Sequence, residues 1–176
     1  MRTNIVLFLA VLLNLNNLSA QTNSRQNIYI DSQAEIDHFA TNHPGLTIVT
    51  GNLIITVADD ISDLLGLNML TAIEGDLKIN GYPYTNSLLT NLDGLHNITT
   101  VDGDLEISAS NSIISLYGLH GLISVGEDLE IRSCYELMNL SGLQTITDVA
   151  RDEYVESLSD GIKRSMYKML KNLKQD

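Results

Sequence analysis

Asn52, Asp76, Asp104 and Asp128 stand 24, 28 and 24 residues apart, each directly before a Leu-x-Ile or Leu-Ile-Ile triplet. If those intervals are one structural repeat, the four side chains form a column with rungs about 4.8 Å apart. Asp76, Asp104 and Asp128 are then three stacked carboxylates, the hard oxygen set that Ca²⁺ prefers. Far more often such a side chain accepts hydrogen bonds from turn amides and fixes a bend. That is the expectation here, with no metal and no cofactor. A second column holds Asn68, His96, His120 and Gln144. Two imidazoles can begin a transition-metal site, but no third ligand shares their column. A row of solvated polar side chains is expected.

No catalytic constellation accompanies them. The sequence has no Gly-x-Ser-x-Gly, no phosphate-binding loop and no Cys/His zinc spacing. Carboxylate pairs recur only because the repeat recurs. No catalytic residue is assigned, and the chain is read as a non-enzyme.

What remains is aromatic. The 28-residue interval carries its four extra residues within Asn80–Asn91, around Gly81-Tyr82-Pro83-Tyr84. Repeat arrays place insertions on one face, often the binding face. Tyrosine supplies contact area with a polar tip, and Pro83 restricts the loop. Tyr82, Tyr84, Asn80 and Asn86 are therefore the candidate ligand-binding residues.

The elements that position these groups are the repeats themselves. Leu-x-Ile stands at 53–55, 77–79, 105–107 and 129–131, within the near-copies Ile-Glu-Gly-Asp-Leu-Lys-Ile, Val-Asp-Gly-Asp-Leu-Glu-Ile and Val-Gly-Glu-Asp-Leu-Glu-Ile. Alternation predicts strands with Leu and Ile inward and Ile54, Lys78, Glu106 and Glu130 outward. A second marker, Leu-x-Gly-Leu, recurs at 64–67, 92–95, 116–119 and 140–143. Its glycine is expected at a bend that needs positive φ or close backbone approach. An apolar pair follows each marker: Leu70 and Ile73, Ile98 and Val101, Leu122 and Val125, Ile146 and Val149. A fixed period of this length predicts a mainly β fold, a short right-handed β-solenoid of about four coils. One coil cannot bury its own apolar faces, so stacking and end caps must supply the stability.

Before the first coil, Ile28–Ile30 reads as a strand. A helix follows through Thr41, with Asp31 or Ser32 as N-cap, Glu35 completing a capping box, and Ile36, Phe39 and Ala40 on one face. His43-Pro44-Gly45 ends it. This is the N-terminal cap.

The repeated Gly-Asp-Leu-x-Ile and Leu-x-Gly-Leu, preceded by a strand and a Ser-Gln-Ala-Glu-Ile-Asp helix, resemble the receptor L-domain family. The likeness is to its leucine-rich-like bacterial versions in secreted proteins of Bacteroidetes, and it covers residues 28–149. The resemblance implies a short β-solenoid with a ligand-binding or adhesive role and no catalysis. In animal growth-factor receptors the domain binds ligand alongside disulfides and cysteine-rich neighbours, whereas this chain has one cysteine, Cys134.

Residues 150–176 read as a C-terminal amphipathic helix. Val155, Leu158, Ile162, Met166, Met169 and Leu173 make one apolar stripe, with acids early and bases late to suit the helix dipole. The stripe either caps the last coil or mediates self-association.

Residues 1–20 have the pattern of a signal peptide: Arg2, an apolar run over Ile5–Leu13, and Leu18-Ser19-Ala20 before Gln21. Residues 21–27 read as a disordered linker. The expected address is the periplasm, the cell surface or the medium, with no membrane span once processed. Residues 21–147 carry sixteen acids against Arg25, Lys78 and Arg132, which argues against nucleic acid as a partner. The function expected is recognition or adhesion, binding a glycan or a protein. The alternatives are a structural or truncated repeat protein associating through its C-terminal helix and, last, a polysaccharide-acting enzyme.

Overall fold

The computed structural model describes residues 27–57, 59–82, 88–150, 153–156 and 160–173. Strand β1 (Ile28–Ile30) is followed by two short helices, α1 (Gln33–Asp37) and α2 (Phe39–Asn42). Strands then alternate in length: β2 (Ile48–Val49), β3 (Leu53–Val57), β4 (Ala72–Ile73), β5 (Leu77–Gly81), β6 (Thr100–Val101), β7 (Leu105–Ser108), β8 (Ser124–Val125), β9 (Leu129–Arg132), β10 (Asp148–Val149) and β11 (Glu153–Glu156). Helix α3 spans Asp160–Leu173.

These strands form two parallel sheets. One has the order β1-β3-β5-β7-β9-β11, the other β10-β8-β6-β4-β2. Each repeat therefore gives one strand to each sheet. Register follows the sequence repeat: Leu53, Leu77, Leu105 and Leu129 pair in succession, as do Ile55, Ile79, Ile107 and Ile131. In the shorter sheet Val49, Ile73, Val101, Val125 and Val149 align. All eight Leu and Ile residues of the Leu-x-Ile columns are fully buried, as the alternation predicts. The first and second leucines of every Leu-x-Gly-Leu join the same core. The second sheet is the part not anticipated: what reads as an apolar pair is a two-residue strand ending in Val or Ile.

The Leu-x-Gly-Leu glycines share one constraint. A Cβ at Gly94, Gly118 or Gly142 would strike the carbonyl of Leu64, Leu92 or Leu116 in the preceding repeat. Gly94 and Gly142 also hold left-handed φ of 114° and 110°. For Gly66 no repeat precedes, and the obstacle is the carbonyl of Ile36 in α1.

That contact explains the cap. Ile36 and Phe39 are buried. The Gln33 side-chain oxygen accepts from the amides of Ser62 (2.8 Å) and Asp63 (3.3 Å), and the Gln33 amide donates to Asp60 Oδ2. The expected capping box is not made: Ser32 at the N-cap makes no side-chain bond, and Glu35 Oε2 accepts the amide of Asp31, one residue before the cap. The single helix expected through Thr41 breaks at His38, whose Nδ1 lies 2.8 Å from the Ala34 carbonyl, and Ala40 is exposed rather than buried. Termination at His43 and Gly45 follows the expectation, Gly45 having φ of 76°.

The tail corrects the sequence reading most. Helix α3 begins at Asp160, and Glu153–Glu156 is a sixth strand of the longer sheet, with Val155 beside Ile131. Pairing with the otherwise open edge of β9 outweighs the helical stripe. Ile162 and Met166 are buried in the chain's own core, with Met169 packed against it. Ile162 and Met166 are thus covered by their own chain. Leu158 and the side chains of Val155 and Leu173 lie outside the described residues, as do the signal-peptide and linker segments. No helix among the described residues is long and apolar enough to cross a membrane.

Candidate functional site

Parallel register puts the Asn52, Asp76, Asp104 and Asp128 column directly before the long strands. Asn52 Oδ1 accepts the Asp76 amide (2.9 Å), Asp76 Oδ1 the Asp104 amide (3.1 Å) and Asp104 Oδ1 the Asp128 amide (3.1 Å). Asn27 Oδ1 begins the series by accepting the Asn52 amide. Asp76 and Asp104 therefore each serve the next rung, which is the hydrogen-bonding role that sequence favours over metal binding. Among the described residues no group of three or more His, Cys, Asp or Glu is arranged to hold a metal ion.

The outer face of the longer sheet carries a charge ladder. Lys78 Nζ lies 3.1 Å from Asp76 and 4.0 Å from Glu106. Arg132 reaches Glu106 at 2.6 Å and Glu130 at 3.2 Å. The hydrogen bond to Asp76 raises the Lys78 pKa, and partial burial raises that of Glu130. Lys78 and Arg132 are thus both paired to carboxylates on this face.

The histidine column forms a stack. The His96 and His120 rings are 6.1 Å apart and within 5° of parallel, and Tyr117 lies 4.7 Å from His120. The His120 Nδ1 is 2.8 Å from the Tyr117 carbonyl. Gln144, next in the column, turns back so that its Oε1 accepts the Gly142 amide. The row is polar and built from local contacts.

Tyr82 is the described member of the candidate loop, and it is 55% exposed. Its repeat equivalents, Ser110 and Cys134, are both buried. The difference lies one residue earlier. Ala109 and Ser133 adopt φ of 50° and 52°, which turns the chain inward after β7 and β9. At Gly81 φ is not left-handed, and a Cβ there would strike the Ala109 carbonyl. Tyr82, the next residue, is exposed instead. Asn80 belongs to β5 rather than to the loop, and its Oδ1 accepts a hydrogen bond from Ser108 Oγ at 2.9 Å. Tyr84 and Asn86 lie outside the described residues. Burial lifts the Cys134 thiol pKa from 9.0 to about 11.

One turn-forming row is not visible in the sequence pattern. Asp63, Asn91, Ser115 and Asn139, each just before a Leu-x-Gly-Leu, accept the amide two residues ahead at 2.8–3.1 Å. Three residue types perform one Asx- or Ser-type turn, so the row has no constant letter to find.

Comparison of the chain with protein-family models, curated proteins and solved structures finds no match. The described residues define a mainly β repeat protein of two parallel sheets, with helices at both ends of the strand order.

Proposed function

We propose that the protein is a secreted, non-enzymatic recognition module that binds a glycan or a protein partner through the loop after β5. In this reading the two sheets are faces of a short right-handed β-solenoid of receptor L-domain type. The handedness follows the usual rule for parallel crossovers. The observation that carries the reading is Tyr82. It is exposed where its equivalents are buried, and it leads into the only insertion in the repeat. An aromatic face at the mouth of such a loop suits stacking on a sugar ring or filling a partner's pocket.

A glycan array with the full chain tests this, alongside the double variant Tyr82→Ala, Tyr84→Ala. Retention of a glycan by the native chain and its loss by a folded double variant supports the loop. Release of hydrolysed sugar would shift the reading to an enzyme. The tail-association alternative has less support, since Ile162 and Met166 already pack in the core of their own chain. Export is tested separately: N-terminal sequencing of the processed protein should begin at Gln21.

A further inference from the structure

Between the last Leu-x-Gly-Leu segment and α3 lies an open cleft of about 260 Å³, lined by Asn139, Leu140, Ser141, Gln144, Ser165 and Met169. It exists because α3 stands where a further repeat would stack. Leu64, Leu92 and Leu116 are 0% exposed beneath the next repeat, whereas Leu140 retains 7%. The lining has two parts. Leu140 and Met169 supply an apolar floor, and the other four supply uncharged hydrogen-bonding groups. None of the six is ionisable, in a chain of net charge −12.

The amides are already oriented. Asn139 Oδ1 accepts the Ser141 amide at 2.8 Å, and Gln144 Oε1 accepts the Gly142 amide at 2.7 Å. With both oxygens committed to the backbone, the Nδ2 and Nε2 donors make no hydrogen bond among the described residues. Ser165 Oγ donates to the Gly161 carbonyl and keeps its lone pairs as acceptors. The Ser141 hydroxyl can donate or accept.

We propose that this cleft binds one neutral sugar residue, such as the terminal unit of a glycan. Its volume falls just under the roughly 300–1,000 Å³ of sites for drug-sized ligands, which suits one pyranose ring better than a chain. Hydroxyl groups match fixed amide donors and serine hydroxyls, and the C–H face of a pyranose matches Leu140 and Met169. The six lining residues offer a charged ligand no counter-charge. The cleft lies at the last Leu-x-Gly-Leu, two repeats beyond β5, and the inference stands whether or not the loop after β5 binds anything.

The test is titration of the full chain with methyl glycosides of glucose, galactose, mannose and N-acetylglucosamine, followed by ligand-observed NMR. Glucuronate and glucosamine serve as charged controls. Saturable millimolar binding of at least one neutral glycoside, and of neither control, is expected. Ser165→Phe should fill the cleft from the exposed side of α3, and Gln144→Glu should keep the turn acceptor while removing the donor. Each should weaken binding at least about tenfold, with melting temperature within a few degrees of native, and Tyr82→Ala should leave affinity unchanged. Absence of saturable binding by every neutral glycoside overturns the proposal. So does equal binding of a control, or full affinity in both folded cleft variants. Loss of binding in Tyr82→Ala alone overturns it too, and moves the sugar to the loop.

Discussion

The backbone amide of Asp104 donates to Oδ1 of Asp76 at 3.1 Å, and it does so across the one repeat that is four residues longer than the others. The column keeps its register through the insertion. The extra residues are therefore accommodated after β5 without disturbing the strands that follow.

The acceptor, not the charge, should matter in that column, because Asn52 performs the same task as Asp76. Asp104→Ala leaves the Asp128 amide without its acceptor and should cost about 1–2 kcal/mol. Asp104→Asn should cost well under half of that. Urea unfolding of both variants gives the comparison, and equal losses would assign the effect to charge. Saturating Ca²⁺ should leave the melting temperature of the native chain unchanged, whereas a saturable rise would show that the column binds the ion.

Leu105→Asp and Ile107→Asp should each abolish folding, since both side chains are fully buried in the core of the central strand. Far-ultraviolet circular dichroism reads this directly. A loss of less than about 1 kcal/mol would be incompatible with burial at those positions.

Gly118→Ala should destabilise by more than about 2 kcal/mol, through backbone collision with Leu92 rather than through conformational strain. Gly94→Ala should cost at least as much, because its left-handed φ adds to the same collision. A neutral result at Gly118 would mean that adjacent repeats separate more easily than their contacts imply.

Cys134 makes a pH prediction. Its thiol pKa is raised by burial to about 11, against an ordinary 9.0, so the unfolded chain ionises first as pH rises. The unfolded state then binds fewer protons than the native state, and stability falls with pH. The contribution is fully present below pH 9 and is lost between about 9 and 11. The stability difference between the native chain and Cys134→Ala should narrow across that window. A constant difference would show that the native thiol ionises normally. At pH 8 the thiol should react with Ellman's reagent only on unfolding.

Much of this architecture is legible in the letters because the buried positions admit few residue types. Leu105 and Ile107 could be assigned inward from alternation alone, and the Leu-x-Gly-Leu glycines could be assigned to close approach. Where several residue types can do one job, the pattern fades. The turn acceptors Asp63, Asn91, Ser115 and Asn139 show only through their bonds. The strand β11 shows a different masking. Val149, Asp152 and Val155 keep the phase of Val125, Asp128 and Ile131, but Glu153 occupies the place of Leu129. The helical spacing of the following apolar residues then dominates the reading. At the candidate site, the insertion pointed to Tyr82. A Cβ at Gly81 would strike the carbonyl of Ala109, a contact 28 residues away that no local pattern shows. The place of Asn80 in the strand is not legible locally, because its partner Ser108 lies 28 residues away.

Gly66 rests against the carbonyl of Ile36 as each later glycine of its kind rests against the carbonyl of the repeat before it. The helix thus presents to the first repeat the same kind of backbone surface that any repeat presents to its successor. Such a joint is indifferent to how many units follow. Duplication or loss of a whole 24-residue unit in the gene would leave both ends of the array with familiar neighbours. The joint between cap and array therefore sets no particular number of repeats.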